Sequence, residues 1–185
     1  HRKMIYAVTG VVLIIAVGGF FRLRSVGYMV DDLPAKDKIV SDLHFFEQKF
    51  GGVMPYEILI DTKKRKGIRK LETLNKVDSL QQLLLTYPEF ARPLSIIELL
   101  KFSKQAFYEG DSSMYALPDE NEIAFMSGAI GKHSAGEQLL RSMVDSNQQV
   151  IRVSAQMADV GSNRINKITQ ELEAKFTDIF PKDKY

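Results

Sequence analysis

The sequence predicts an α+β fold preceded by one apolar helix, and three observations lead there. The chain opens on a long uncharged run. Beyond it, short segments with two-residue hydrophobic alternation are interleaved with longer ones that repeat every three and four residues. The alternating segments flank helical ones, as strand–helix–strand units on one sheet require.

The uncharged run begins at Met4 and ends at Phe21, with Arg2-Lys3 before it and Arg22 and Arg24 after it. Its eighteen residues reach roughly 27 Å as a helix, close to the hydrocarbon thickness of a bilayer. Gly10, Gly18 and Gly19 weaken a helix in water but allow close helix approach in a membrane. Tyr6 and Phe20-Phe21 suit the two interfaces. A transmembrane helix is therefore expected over residues 1–21, which include a short flank. Two other readings compete: a signal peptide, with Ala16-Val17-Gly18 as a small-x-small cleavage site, and a buried core helix. The basic flanks are balanced, so the positive-inside rule assigns no orientation.

Residues 22–185 are expected to form the α+β domain. An exit strand is predicted over residues 22–34, with Leu23, Val26, Tyr28 and Val30, closing at Asp31-Asp32-Leu33-Pro34. From Asp37 the period becomes helical through Ile39, Val40, Leu43, Phe46 and Phe50, and Gly51-Gly52 stops it. Residues 53–61 alternate as a strand, with Tyr56, Ile58 and Ile60 on one face and Glu57, Leu59 and Asp61 on the other. A basic turn, Lys63-Lys64-Arg65-Lys66-Gly67, leads to a second helix with Ile68, Leu71, Leu74, Val77, Leu80 and Leu84, ending near Tyr87-Pro88. Ser95 is predicted to cap a third, carrying Ile96, Ile97, Leu100 and Phe107. A polar loop follows to Pro118, and Asp119 caps a short segment over residues 120–130.

Residues 139–144 and 149–157 read as a hairpin around Asp145-Ser146-Asn147. Ser162 is expected to cap a last helix with Ile165, Ile168, Leu172, Phe176 and Ile179, ended by Pro181. The order β, α, β, α, α, insert, β, β, α matches a ferredoxin-like α+β domain. It lacks a strand after the last helix, which the expectation places beyond Tyr185.

Charge and composition bound the chemistry. The chain of 185 residues carries a formal net charge of +2 and no cysteine. A disulfide scaffold, a thiol nucleophile, a Cys-ligated zinc and an iron–sulfur cluster are thereby excluded. Arg2 and Lys3 account for the excess; from Arg22 onward 23 basic and 23 acidic residues balance. Nucleic acid is not an expected partner. Lys63 to Lys70 places six basic residues in eight without interleaved aromatics, and an exposed turn is expected there, with headgroup or partner contacts as the other reading.

His44 has no second ligand at helical spacing. His1 and His133 are isolated in sequence. Residues 126–133 miss a phosphate loop, because Met126 and His133 stand where glycine and a hydroxyl are needed. Gly110-Asp111-Ser112-Ser113 lacks the strand and glycine of a nucleophile elbow. Asp31-Asp32 and Asp119-Glu120-Asn121-Glu122 lack the spacing of a calcium loop. No catalytic, cofactor-binding or metal-ligating residue is assigned, no cofactor is expected, and a non-enzymatic role is.

Several stretches together resemble a known family. They are Val30-Asp31-Asp32-Leu33-Pro34, Phe45-Phe46-Glu47, Phe50-Gly51-Gly52-Val53-Met54-Pro55-Tyr56-Glu57-Ile58-Leu59-Ile60-Asp61, Tyr87-Pro88, Leu94-Ser95-Ile96, and Arg152-Val153-Ser154 running to Asp159-Val160-Gly161-Ser162. In this order, behind a membrane helix, they resemble the extracytoplasmic loop of resistance–nodulation–division (RND) exporters. The branch is that of the mycobacterial-type large membrane proteins (MmpL) and hopanoid transporters. The resemblance implies a porter-type ferredoxin-like domain within a longer bacterial inner-membrane protein, its first helix crossing the bilayer and residues 22–185 periplasmic. It implies proton-driven export of lipids or other amphiphiles. The implied partners are the bilayer, an amphiphilic substrate, the remaining domains of the same transporter and a possible second copy. The pattern looks more like the second half of such a transporter. Proton-relay carboxylates belong to other membrane helices, since the run from Met4 to Phe21 holds no titratable carboxylate, amine or imidazole. A membrane-anchored single-pass sensor or adaptor is the alternative reading.

Overall fold

The computed structural model describes residues 2–22, 27–28, 37–130, 134–181 and 183–185. Helix α1 (Arg2–Arg22) has no buried residue and is long and apolar enough to cross a membrane. It does not pack into the domain core, so the core-helix reading falls.

Helix α2 (Lys38–Phe50) begins where the Asp37 carboxylate accepts the Ile39 N–H at 3.0 Å. It ends at Gly51, whose φ of 75° closes a left-handed cap with its N–H on the Glu47 carbonyl. Gly52 follows at φ 145°, and a Cβ there would lie 2.3 Å from the Met157 carbonyl carbon. Only glycine fits that approach. The pair thus turns the chain from α2 into strand β1 (Met54–Asp61) against the end of strand β2 (Val150–Met157).

The two strands are antiparallel in one register, from Met54 opposite Met157 to Asp61 opposite Val150. Tyr56, Ile58 and Ile60 share the inner face with Ile151, Val153, Ala155 and Met157. Glu57, Leu59 and Asp61 point the other way, and Leu59 is 70% exposed. The far edge of β2 is partly engaged: Leu94 and Ser154 exchange backbone hydrogen bonds of 2.7 and 2.9 Å. Among the described residues nothing pairs with the other edge of β1.

Helices cover the inner face and pack on one another. Helix α3 (Leu71–Leu84), preceded by a 3-10 turn at Gly67–Arg69, buries Leu74, Val77, Leu80 and Leu84. Helix α4 (Ile96–Phe107) buries Ile96, Ile97 and Leu100 and is capped by Ser95, whose hydroxyl accepts the Ile97 N–H at 3.1 Å. Helix α7 (Ser162–Ile179) contributes the fully buried Ile168 and Leu172. Helix α5 (Glu120–Ile130) starts with a reciprocal box: Glu122 N–H to Asp119 at 2.8 Å and Asp119 N–H to Glu122 at 2.9 Å.

Three expectations need correction or placement. Residues 139–144 are not a strand; all but the last belong to helix α6 (Ser134–Met143), and only Val144 bridges to Ile151. Leu139, Leu140 and Met143 recur at helical spacing, and the stretch has a single β-branched residue, Val144, at its end. Ser162 is not a cap: Gly161 holds that position, while the Ser162 hydroxyl accepts the Gly27 N–H at 3.2 Å and its own N–H reaches the Gly27 carbonyl at 2.9 Å. The exit strand over residues 22–34 lies almost wholly outside the described residues. Among those described, the chain is a mixed α+β molecule with seven helices and a two-stranded antiparallel sheet.

Candidate functional site

The residues singled out in sequence scatter. His44 is exposed on α2, with Glu47 at 3.5 Å. His1, His133 and Asp31-Asp32 lie outside the described residues. Asp111 accepts the Ser113 N–H at 2.9 Å, which holds its carboxyl below the usual range, and the loop is solvent-facing. Glu122, besides its capping bond, accepts from Lys104 at 2.8 Å and from the Tyr108 hydroxyl at 3.0 Å. The Lys104 bond leads the effects that lower its pKa. It is therefore committed to the helix start. Among the described residues no three His, Asp or Glu side chains converge on one point.

The basic run has a structural role in part. Lys63 and Lys66 adopt positive φ, and the Lys66 N–H and Ile68 N–H bond the Asn147 and Gln148 carbonyls at 3.0 and 3.3 Å. Arg69 reaches the Gln148 side chain at 2.6 Å. The turn after β1 is thereby fastened to the turn before β2.

A groove of about 400 Å³ runs along the edge of β1 that has no partner among the described residues, between that strand and the C-terminal half of α7. Ile58, Ile60, Leu80, Phe176, Phe180 and Tyr185 give it an apolar lining. Asp61, Glu173 and Thr177 supply polar atoms. Its volume falls within the range of small-molecule sites, roughly 300–1,000 Å³. The side chains come from four separate parts of the chain, positioned by inward alternation in β1 and by helical spacing in α3 and α7.

A second concavity of about 210 Å³ adjoins it, with Tyr185 in the wall of both. Lys64, Lys70 and Lys184 line it, with Glu72 as its carboxylate. Glu72 is already paired with Lys76 at 3.1 Å, and that bond leads the causes that lower its pKa, with Lys184 and Lys70 adding to them. Lys76 also lies 4.8 Å over the Tyr185 ring, and Phe180 meets that ring edge-on at 5.0 Å. The Tyr185 ring thus borders both concavities, with Phe180 at its edge and the Lys76 ammonium over it.

Sequence reasoning named Ile58, Ile60, Leu80 and Phe176 as core residues, and Lys64 and Lys70 as a turn. It missed Phe180, Lys184 and Tyr185, which follow the last periodic helix position and carry no motif. No protein-family model, curated protein or solved structure matches the chain.

A different set of residues does converge. Glu57 takes a two-point hydrogen bond from Arg152 at 2.7 and 2.9 Å and a third from the Ser154 hydroxyl at 2.8 Å. The Glu47 carboxylate accepts the Asp159 N–H at 3.1 Å. Ser95 donates to the buried Gln81 side chain at 2.8 Å, which in turn donates to the Pro93 carbonyl at 3.1 Å. With Gly51 and Gly52 against Ala91 and Met157, these contacts fasten α2, β1, residues 87–95 and β2 together. Gln81 was not legible as a polar anchor; nothing local marks it.

Proposed function

We propose that this chain is the extracytoplasmic, substrate-handling part of an RND-type exporter of lipids or other amphiphiles, anchored by α1 in a bacterial inner membrane. The observation that carries the reading is the mutual contact of the residues on which the resemblance rests. Glu47 with Asp159, Glu57 with Arg152 and Ser154, Leu94 with Ser154, and Gly52 against Met157 join stretches far apart in sequence. A motif set whose members brace one another behaves as the signature of one domain.

Further support is geometric. A helix able to cross a membrane adjoins a mixed domain with an apolar groove beside a strand edge. In a ferredoxin-like arrangement the second and third strands form an antiparallel pair, as β1 and β2 do. The exposed Ile39, Phe46 and Phe50 of α2 suit contact with the remaining domains of the transporter. Energy for transport comes from the proton gradient through membrane carboxylates elsewhere. This domain's work is to hold the amphiphile by buried apolar area, at roughly 25 cal/mol per Å², and to move against its neighbours.

Deleting residues 37–185 from the full-length protein should abolish export while leaving membrane insertion intact. Wild-type export by that deletion rejects the reading. An open reading frame without further apolar spans, supporting signalling in place of export, favours the single-pass sensor or adaptor.

A further inference from the structure

The groove and the lysine-lined concavity share a wall, and their chemistries are complementary halves of one ligand. On the groove side are Ile58, Ile60, Phe176 and Phe180, together with Glu173 and with Asp61, which accepts hydrogen bonds from the Lys63 N–H and the Gln149 side chain; on the other are Lys64, Lys70 and Lys184. The one carboxylate of the second concavity, Glu72, is held by Lys76. Three lysines against one carboxylate line this space of about 210 Å³, whereas the chain from Arg22 onward is formally neutral. Such a local excess is built for an anion. An anion alone leaves the groove unexplained, and an apolar ligand alone leaves the lysines unexplained.

We infer that the two concavities form one site for a single-chain anionic amphiphile, its acyl or alkyl chain along the edge of β1 and its headgroup among Lys64, Lys70 and Lys184. Tyr185 marks the boundary: its ring, edge-on to Phe180, closes the apolar part, and its hydroxyl lies 3.4 Å from Lys76 at the polar part. The inference rests on the amphiphile-export reading and narrows it to negatively charged headgroups. Lysines suit this role as strongly hydrated point charges that tolerate headgroups of varied shape.

The test uses the whole chain in nanodiscs of phosphatidylcholine and a dodecyl phosphate carrying a diazirine at the end of its alkyl chain. After irradiation, mass spectrometry should find adducts on β1 and on the segment holding Phe176 and Phe180, besides background on α1. Unlabelled dodecyl phosphate should compete for the groove adducts; inorganic phosphate and dodecyltrimethylammonium should not. The triple variant Lys64→Gln, Lys70→Gln, Lys184→Gln should lower groove labelling at least about tenfold, as loss of charge-assisted bonds requires, without changing the circular dichroism spectrum. A charge-matched control, Lys38→Gln, Lys49→Gln, Lys167→Gln, should label as wild type.

Equal competition by dodecyltrimethylammonium, displacement by inorganic phosphate, or adducts confined to α1 overturns the inference. Groove labelling that survives the triple substitution also overturns it and leaves the exporter reading standing. Normal export by the protein lacking residues 37–185 rejects the exporter reading, and this inference with it.

Discussion

Glu57 shows how one side chain on a strand's outer face ties two distant segments. Its hydrogen bond from Arg152 holds its carboxyl below the ordinary value of 4.5, burial opposes this, and the Ser154 hydroxyl adds to the lowering. A depressed folded pKa stabilises the fold above the unfolded value and ceases to do so as pH falls through the folded one. Stability of the wild-type chain should therefore decline from about pH 4.5 downward, and Glu57→Gln should flatten that part of the profile. Urea midpoints between pH 3 and pH 7 check it; parallel profiles for the two proteins would remove Glu57 from the acid response. The strand position of Glu57 was legible from alternation. Its partner was not, because cross-strand register follows from the turn at residues 145–149 and the glycine pair, not from β1 alone.

At the scale of elements, helices and strands with a clean period were read correctly and those with an ambiguous one were not. α2, α3, α4 and α7 each place apolar residues at three- and four-residue spacing, and β1 and β2 alternate over eight residues each. Residues 139–144 are too short to separate the two periods, and their proximity to β2 favoured a hairpin that α6 replaces. In α7 the register expectation holds with a gradient. Ile168 and Leu172 are fully buried, while Ile165 and Phe176 are partly so. Phe176 faces the groove. Leu172→Ala should accordingly cost about 2–5 kcal/mol, and Phe176→Ala less than Leu172→Ala, because part of its ring meets a concavity already open to solvent. Equilibrium unfolding of the two variants in the same neutral detergent gives the comparison. A larger loss at Phe176 would mean that the groove is closed in solution.

At the scale of the whole molecule, α1 and the remaining chain differ in what they bury. No residue of α1 is buried within the chain, and the helix is long and apolar enough to cross a membrane. Alkaline carbonate extraction of membranes should leave the whole chain in the pellet. Recovery of the domain in the supernatant with a new amino terminus near Gly18 would identify a signal peptide. The apolar helix was legible because charge exclusion over eighteen residues is a one-dimensional property. The candidate site was not, because its lining is gathered from β1, α3, the end of α7 and the segment after it, none of which has a chemical signature alone.

The edge of β1 that no described residue pairs with has a consequence for handling the protein. A row of outward backbone donors and acceptors beside an exposed Leu59 is a template for a second copy of the same strand. A neighbouring chain or a bound amphiphile would shield such a template; among the described residues nothing pairs with it. The purified chain should therefore self-associate as its concentration rises, seen as a shift to faster-sedimenting species. Leu59→Lys, on the solvent face, should suppress that shift while leaving the melting temperature unchanged, since like charges then meet wherever two edges align. Association unaffected by the substitution would place the contact elsewhere, on α1 or on the aromatic face of α2.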